Sequence, residues 1–214
     1  MLKFMYFAKR KPGFTPETFI PRWRQHGALA KSLPMWRNMA LYIQADTIRP
    51  VPIAGASSEY DGFSYAVARD EQLFKNPSPD DAANVKRLLN DELETFEAPI
   101  PPVLMFVDDE ILRKGAPGGV TACLAFNDLR KAEAVAKSHA GKPKATRVVL
   151  NRVRADMKMP DMKVSYTATV EISAADVDGL KSVLDADGAS WRTADLAVIA
   201  REAILDDKIS EKAA

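Results

Sequence analysis

Residues 120–127 read VTACLAFN, and they decide the fold because the pattern that begins at residue 2 starts again there. Residues 2–8 (LKFMYFA) form a comparable apolar run, which a basic turn with Pro and Gly ends. Such short apolar runs closed by turn residues predict β-strands. Each of these two strands is followed by signals for a helix, two strands, a second helix and a last strand. The sequence therefore predicts the order β-α-β-β-α-β twice, the order of a ferredoxin-like unit.

The first helix has the clearest signals. Thr15 is a suitable N-cap and Pro16 suits the first helical turn, whereas Pro21 predicts either a kink or a later start. Up to Pro34, the positions at the spacing of one buried helix face are Phe19, Trp23, His26, Ala30 and Leu33. The second helix follows Ser78 with a predicted apolar stripe of Val85, Leu88, Leu89, Leu93 and Phe96. The other predicted strands are 39–48, 61–68, 103–112, 145–155, 163–172 and 196–205.

The two units align weakly in identity but well in element order. Residues 23–26 fall on 136–139, 63–66 on 164–167, and 108–112 on 201–205. The predicted fold is thus α+β, with one ferredoxin-like unit at 1–114 and a degenerate second unit at 115–214. Each unit has helices on one face of an antiparallel sheet, so two bare sheet faces remain. Packing these faces together buries them in an α+β barrel.

Composition excludes several function classes. Lys and Arg number 30 against 29 Asp and Glu, so the basic excess of a nucleic-acid-binding protein is absent. Cys123 is the only cysteine, which indicates a reducing compartment, and we expect the cytoplasm. No apolar run approaches the roughly 20 residues of a membrane span. Two histidines and one cysteine form no metal-binding pattern, and no glycine-rich phosphate loop occurs, so we expect neither a metal nor a nucleotide cofactor.

His26 is the candidate catalytic residue. Burial on the apolar face of the first helix would keep its imidazole neutral and able to exchange a proton near pH 7. A core histidine that bonds a backbone carbonyl is the alternative interpretation. Asp61 could pair with a histidine as an orienting or basic group, or it could simply form an Asp-Gly turn. His139 lies at a helix C-terminus, where the helix dipole explains it.

Five short motifs occur in a recognisable order. They are KRKPGFTPETF at 9–19, WRQHG at 23–27, YIQ at 42–44, YDG at 60–62 and VDDE at 107–110. Together they resemble the EthD family, which is named for a protein associated with ethyl tert-butyl ether degradation. The resemblance covers residues 1–112.

The resemblance implies the dimeric α+β barrel superfamily and several site residues. Relatives include dehydratases of aromatic polyketides, and wider relatives include cofactor-free monooxygenases, isomerases and haem enzymes. The recurring histidine of the family falls on His26, and its Tyr-Asp-Gly motif falls on Tyr60, Asp61 and Gly62. In the second half, Asp161-Met162-Lys163 is predicted to occupy the Tyr-Asp-Gly positions, which implies one site rather than two.

These observations lead to an enzyme hypothesis and two alternatives. The enzyme would use no cofactor and would act by proton transfer, as a lyase or isomerase, on a small apolar compound that is aromatic or carries a carbonyl group. His26 would be the base or acid, Asp61 its partner or the substrate anchor, and the pocket wall would comprise Tyr6, Trp23, Tyr42, Gln44 and Tyr60. The alternatives are a non-catalytic barrel that binds a small hydrophobic ligand or is associated with stress, and a haem protein with His26 as axial ligand. Edge strands would also permit a homodimer.

Overall fold

The computed structural model describes residues 1–71, 79–100, 103–157, 163, 166–186 and 188–209. The element order β-α-β-β-α-β occurs twice, as predicted. The elements of the first half are β1 (Leu2–Ala8), α1 (Pro16–Ser32), β2 (Met39–Thr47), β3 (Gly62–Ala68), α2 (Pro79–Thr95) and β4 (Met105–Arg113). Those of the second half are β5 (Val120–Phe126), α3 (Leu129–Ala140), β6 (Arg147–Val153), β7 (Ala168–Ala174), α4 (Val177–Asp185) and β8 (Leu196–Asp207).

The eight strands form one closed barrel in the order β1-β3-β2-β8-β5-β7-β6-β4. Each half contributes four antiparallel strands, and the halves are joined by the β2–β8 and β4–β6 pairs. The predicted α+β barrel is therefore confirmed, and its two sheets also meet edge to edge through hydrogen bonds. Because each of the eight described strands is paired on both sides, the described residues contain none of the unpaired edges that suggested a homodimer. No described helix is long and apolar enough to cross a membrane.

Three apolar layers follow from the alternation of side chains along the strands. One layer fills the barrel interior, and the other two lie between the outer surface and the helices of each half. On β2, Leu41 and Ile43 face the interior, whereas Tyr42 packs against the helices of the first half. The predicted division of this strand into two faces is thus correct. It places Tyr42 and Gln44 beside α1.

Helix α1 starts where its cap predicts. The hydroxyl of Thr15 accepts from the backbone N–H of Thr18, and the hydroxyl of Thr18 accepts from the N–H of Thr15, which forms a capping box. Pro21 lies inside the helix on its exposed side, so the helix does not begin later. At Gly27, an added Cβ would lie 2.8 Å from Leu205 Cδ1 and 3.0 Å from Gln44 Nε2. Any larger residue there would force these β2 and β8 side chains to shift, because they approach the helix closely.

Strand register tests the alignment of the halves. Lys3 pairs with Val107 and Thr121 pairs with Ala200, so residues 108–112 correspond to 201–205 as predicted. Gly62 pairs with Ala8 and Ala168 with Phe126, so β3 corresponds to 168–174.

The alignment of residues 63–66 on 164–167 was therefore wrong. It placed the segment of the second half about five residues too early in the sequence. The Ser-Tyr pair common to both segments had fixed it at the wrong place. The counterparts of Tyr60 and Asp61 are Tyr166 and Thr167, not the predicted 161–163, of which 161 and 162 lie outside the described residues.

Candidate functional site

A cavity of about 130 Å³ lies between α1, α2 and the outer surface of the first half of the barrel. Its volume is close to that of cavities of about 150 Å³ that hold one benzene ring. The wall is mostly apolar, and five of its side chains carry polar groups that matter below. The lining residues are Phe4, Tyr6, His26, Ala30, Met35, Trp36, Met39, Tyr42, Val85, Leu88, Leu89, Glu92, Ile100 and Leu104.

His26 lies on this wall and is held by a carboxylate from α2. Its Nδ1 is 2.8 Å from Asp91 Oδ2, and its ring meets Phe96 edge-on at 5.3 Å between centroids. Only 6% of the side chain is exposed, and Nε2 makes no hydrogen bond with any described residue. Burial lowers the pKa of His26, and the Asp91 bond offsets this only in part. The imidazole is therefore neutral near pH 7.

The ionised carboxylate of Asp91 determines which nitrogen of His26 carries the proton. Burial raises the pKa of Asp91, but hydrogen bonds from Arg22 and His26 outweigh it, and the pKa lies below the ordinary value. Arg22 Nη2 donates to Asp91 Oδ1 at 2.6 Å. An ionised Asp91 can only accept, so Nδ1 of His26 carries the proton and Nε2 carries the free electron pair. The arrangement is that of a carboxylate that orients a histidine base.

Glu92 is the second titratable group on the cavity wall. It is buried, and Oε2 accepts a hydrogen bond of 2.9 Å from the backbone N–H of Ile100. Burial, with a smaller contribution from the charge of Asp91, raises the pKa of Glu92 to about 7. A carboxyl group that is half protonated at neutral pH can donate a proton while the neighbouring imidazole accepts one.

Tyr6 and Tyr42 line the cavity, and Trp23 and Gln44 support them from behind. Trp23 Nε1 donates to the Tyr6 hydroxyl at 3.2 Å, and Gln44 Nε2 donates to the Tyr42 hydroxyl at 2.8 Å. Gln44 is held in turn by Arg24, which donates to its Oε1 at 2.6 Å. Burial raises the pKa of Tyr42 to about 12, so this hydroxyl is neutral at pH 7. Both tyrosines therefore present fixed neutral hydroxyl groups.

Trp36 brings an unsatisfied donor to the same wall. Its indole Nε1–H is buried and has no acceptor among the described residues. Leaving such a donor unpaired costs about 1–3 kcal/mol. Trp36 contacts Tyr42 edge-on with centroids 4.8 Å apart, so it lies next to the fixed hydroxyl. A ligand with an oxygen acceptor would satisfy this donor.

Asp61 is not the partner of His26, and that expectation was wrong. Its carboxylate accepts from the backbone N–H of Arg10 at 2.9 Å, from the Arg10 guanidinium, and from Arg49 Nη2 at 3.0 Å. Asp61 is thus paired with two arginines. The carboxylate that His26 contacts is instead that of Asp91, on α2. Tyr60 lies on a neighbouring pocket of about 210 Å³ rather than on the His26 cavity. The Tyr-Asp-Gly motif thus ties the residue 49–59 loop to the start of β3.

The second histidine and the cysteine lie elsewhere. His139 is fully buried, and its Nδ1 is 2.7 Å from the carbonyl oxygen of Val135, one turn earlier in α3. Cys123 is buried in the barrel interior, where burial raises the pKa of its thiol. Within the described ranges, no group of three or more His, Cys, Asp or Glu side chains could hold a metal ion.

Sequence reasoning missed Asp91, Glu92 and Trp36. A signal for Glu92 existed, since it follows Leu88 by four residues and precedes Phe96 by four, which places a carboxylate on the apolar face of α2. We had instead placed Leu93 on that face, and its side chain is 52% exposed. Asp91 gave no comparable signal, because its role depends on the packing of α2 against α1.

Comparisons with known proteins bear on the fold. No protein-family model matches the chain, and no curated protein matches its sequence. Solved structures do match over almost the whole length. A proposed monooxygenase from Lactobacillus acidophilus has a TM-score of 0.53 at 10% identity, covering 97% of this chain and 95% of its own. An anthrone oxidase-like protein has a TM-score of 0.55 at 8% identity, covering 97% and 94%. The chain thus has the α+β barrel fold of these proteins.

Haem does not fit the cavity that contains His26. Small-molecule sites usually enclose about 300–1,000 Å³, and this cavity of about 130 Å³ is smaller than that range, whereas haem is a macrocycle of four pyrrole rings. His26 is therefore not placed to serve as an axial ligand of haem in this cavity.

Proposed function

We propose that the protein is a cofactor-independent enzyme that moves a proton on a compound with one six-membered ring and a carbonyl oxygen. The observation that carries the proposal is the neutral His26 on the wall of a ring-sized cavity, oriented by Asp91 and accompanied by Glu92. The EthD resemblance supports the same residue, since the recurring histidine of that family falls on His26. An EthD-like lyase or isomerase is the specific form that we propose.

The residues have complementary roles in this scheme. Nε2 of His26 takes a proton from the carbon next to the carbonyl group. The C–H electron pair forms a C=C bond to the carbonyl carbon, and the C=O π pair moves onto the oxygen to give an enolate. The Trp36 N–H donates a hydrogen bond to that oxygen. In an isomerisation, the substrate is a β,γ-unsaturated ketone, and the His26 imidazolium returns the proton to the γ-carbon of the dienolate, so that the double bond moves into conjugation with the carbonyl group. In a dehydration, Glu92 gives its proton to a departing hydroxyl group, water leaves, and proton exchange between His26 and Glu92 restores the starting state.

Exchange of the α-protons of cyclohexanone in D₂O, followed by NMR, tests the proton-transfer step. We expect the protein to accelerate this exchange and His26→Ala to reduce the acceleration by about 10²–10⁴-fold, the usual contribution of a general base. Asp91→Asn should reduce it at least tenfold because it removes the orienting carboxylate. Asp61→Asn removes a carboxylate outside the cavity and is the matched control. Exchange that is equally fast in the His26→Ala variant would refute the proposal.

The mostly apolar wall of the cavity favours a second candidate, a barrel that binds the ring compound without transforming it. Titration calorimetry with cyclohexanone separates the two candidates. Binding without accelerated exchange supports the non-catalytic protein, in which His26 is a packed histidine. Binding together with exchange that requires His26 supports the enzyme.

A further inference from the structure

A second cavity opens at one end of the barrel, separate from the His26 cavity. Its volume is about 460 Å³, within the range of small-molecule sites. Strands β1, β2 and β6 begin at this end, and β3, β4 and β8 end there. Its apolar lining residues are Met1, Leu41, Val67, Ile111, Val149 and Ile209.

This second cavity is referred to below as the barrel mouth. Buried charged groups form its floor. Arg147 Nη2 donates to Glu171 Oε2 at 2.9 Å and to Glu202 Oε1 at 2.6 Å, and Lys3 Nζ bonds Glu171 and lies 4.4 Å from the centre of the Tyr65 ring. Burial raises the pKa of Glu171, but Lys3 and Arg147 outweigh it and bring the pKa to about 2. Glu171 is therefore ionised at neutral pH.

One donor of this floor has no acceptor. The Arg147 side chain is only 9% exposed, and its Nε–H makes no hydrogen bond within the described ranges. Arg147 itself lines the cavity. An unpaired guanidinium donor in a buried position is costly, and an oxygen atom of a bound molecule would remove that cost.

The charges around the mouth decide which oxygen fits. Lys3 and Arg147 are balanced by Glu171 and Glu202 on the floor, and one further cation, Lys114, lines the cavity together with the two carboxylates of Asp109 and Asp207. A carboxylate ligand would add a negative charge beside four acidic side chains. An uncharged carbonyl oxygen accepts the hydrogen bond without that repulsion.

We propose that the barrel mouth binds an uncharged amphipathic molecule, whose carbonyl oxygen accepts from Arg147 Nε and whose hydrocarbon chain packs against the apolar rim. This site is independent of the function proposed for the His26 cavity. The barrel interior beyond the floor is filled by packed side chains, so the chain of the ligand points outward along Ile111 and Ile209.

Titration calorimetry with 2-octanone and with octanoate tests the head-group argument. The two probes have equally long carbon skeletons and differ in head-group charge. We expect 2-octanone to bind at least tenfold more tightly than octanoate. Tighter binding of octanoate would overturn the proposal.

Two rim and floor variants locate the site. Ile111 is 57% exposed, so Ile111→Asp should leave the fold intact and weaken 2-octanone binding at least fivefold. Leu93→Asp changes an exposed leucine on α2 and should have no effect. Arg147→Lys keeps the charge and removes the Nε–H donor, and it should weaken binding of the ketone; if it does not fold, the Ile111→Asp result decides.

Binding that survives Ile111→Asp but is lost in Ala30→Phe, which fills the His26 cavity, would overturn the proposal. A dimer in light scattering that Ile111→Asp dissociates would also overturn it, because a second copy would then cover the mouth.

Discussion

Replacement of Glu92 by glutamine should make the protein more stable above neutral pH and leave its stability unchanged, or slightly lower, in acid. The folded pKa of about 7 lies above the ordinary 4.5, so the folded state prefers the protonated carboxyl. Below pH 4.5 both the folded and the unfolded chain are protonated, and the contribution of the group is fully present. As the pH rises, the unfolded chain ionises first and stability falls, until the folded chain ionises as well above pH 7. At about 1.4 kcal/mol per pH unit, the loss amounts to about 3 kcal/mol.

Urea unfolding of the wild type and Glu92→Gln at one-unit steps from pH 4 to pH 8 measures this loss. The glutamine amide oxygen can still accept from Ile100 N–H, and any cost of its buried NH₂ group is independent of pH. The informative quantity is therefore the difference in free energy of unfolding between the two proteins, followed as a function of pH. Glu94→Gln is the matched control: it lies on the same helix, its side chain is 71% exposed, and it should shift stability by less than about 0.5 kcal/mol at every pH. A constant difference between wild type and Glu92→Gln across this range would refute the reasoning.

Three further results are expected. Asp91→Asn should lower the pKa of His26 in an NMR titration, because the carboxylate raises it, whereas Asp61→Asn should leave it unchanged. Gly27→Ala should cost up to about 2 kcal/mol in urea unfolding, because overpacking against Leu205 Cδ1 at 2.8 Å exceeds the roughly 1 kcal/mol that alanine gains in a helix interior, whereas Gly141→Ala, with nothing within 4 Å, should be nearly neutral. Cys123 should react with a thiol reagent only after unfolding, because its thiol is buried and burial raises its pKa; rapid labelling of the native protein would contradict the structure.

The fold was predictable because local signals agree with the tertiary arrangement. The Thr15 cap and the spacing of Phe19, Trp23 and His26 identified α1 and its buried face. The alternation along β2 identified which side chains face the interior. These signals depend on neighbouring residues in the chain, and a single sequence contains them.

The candidate site was only partly predictable, since its chemistry depends on contacts between distant segments. His26, Tyr6 and Tyr42 were identified and lie on one cavity. Asp61 was chosen as the carboxylate partner because it belongs to a motif, but 65 residues separate His26 from Asp91, the group that it contacts. The unpaired N–H of Trp36 could not be predicted, because the lack of an acceptor depends on how distant segments pack around it.

Closure of the barrel has a consequence for synthesis of the chain. β8 is the last strand, and it pairs with β2 from the first half and β5 from the second. The β2 edge therefore stays uncovered until the ribosome has released β8, which extends to Asp207. Until then, β2 of the first half is an open template for strand pairing, whereas β4 is already covered once β6 has been released. Two nascent copies with an open β2 edge can misassemble by exchanging halves. Slow release of β8 would therefore favour domain-swapped dimers over monomers.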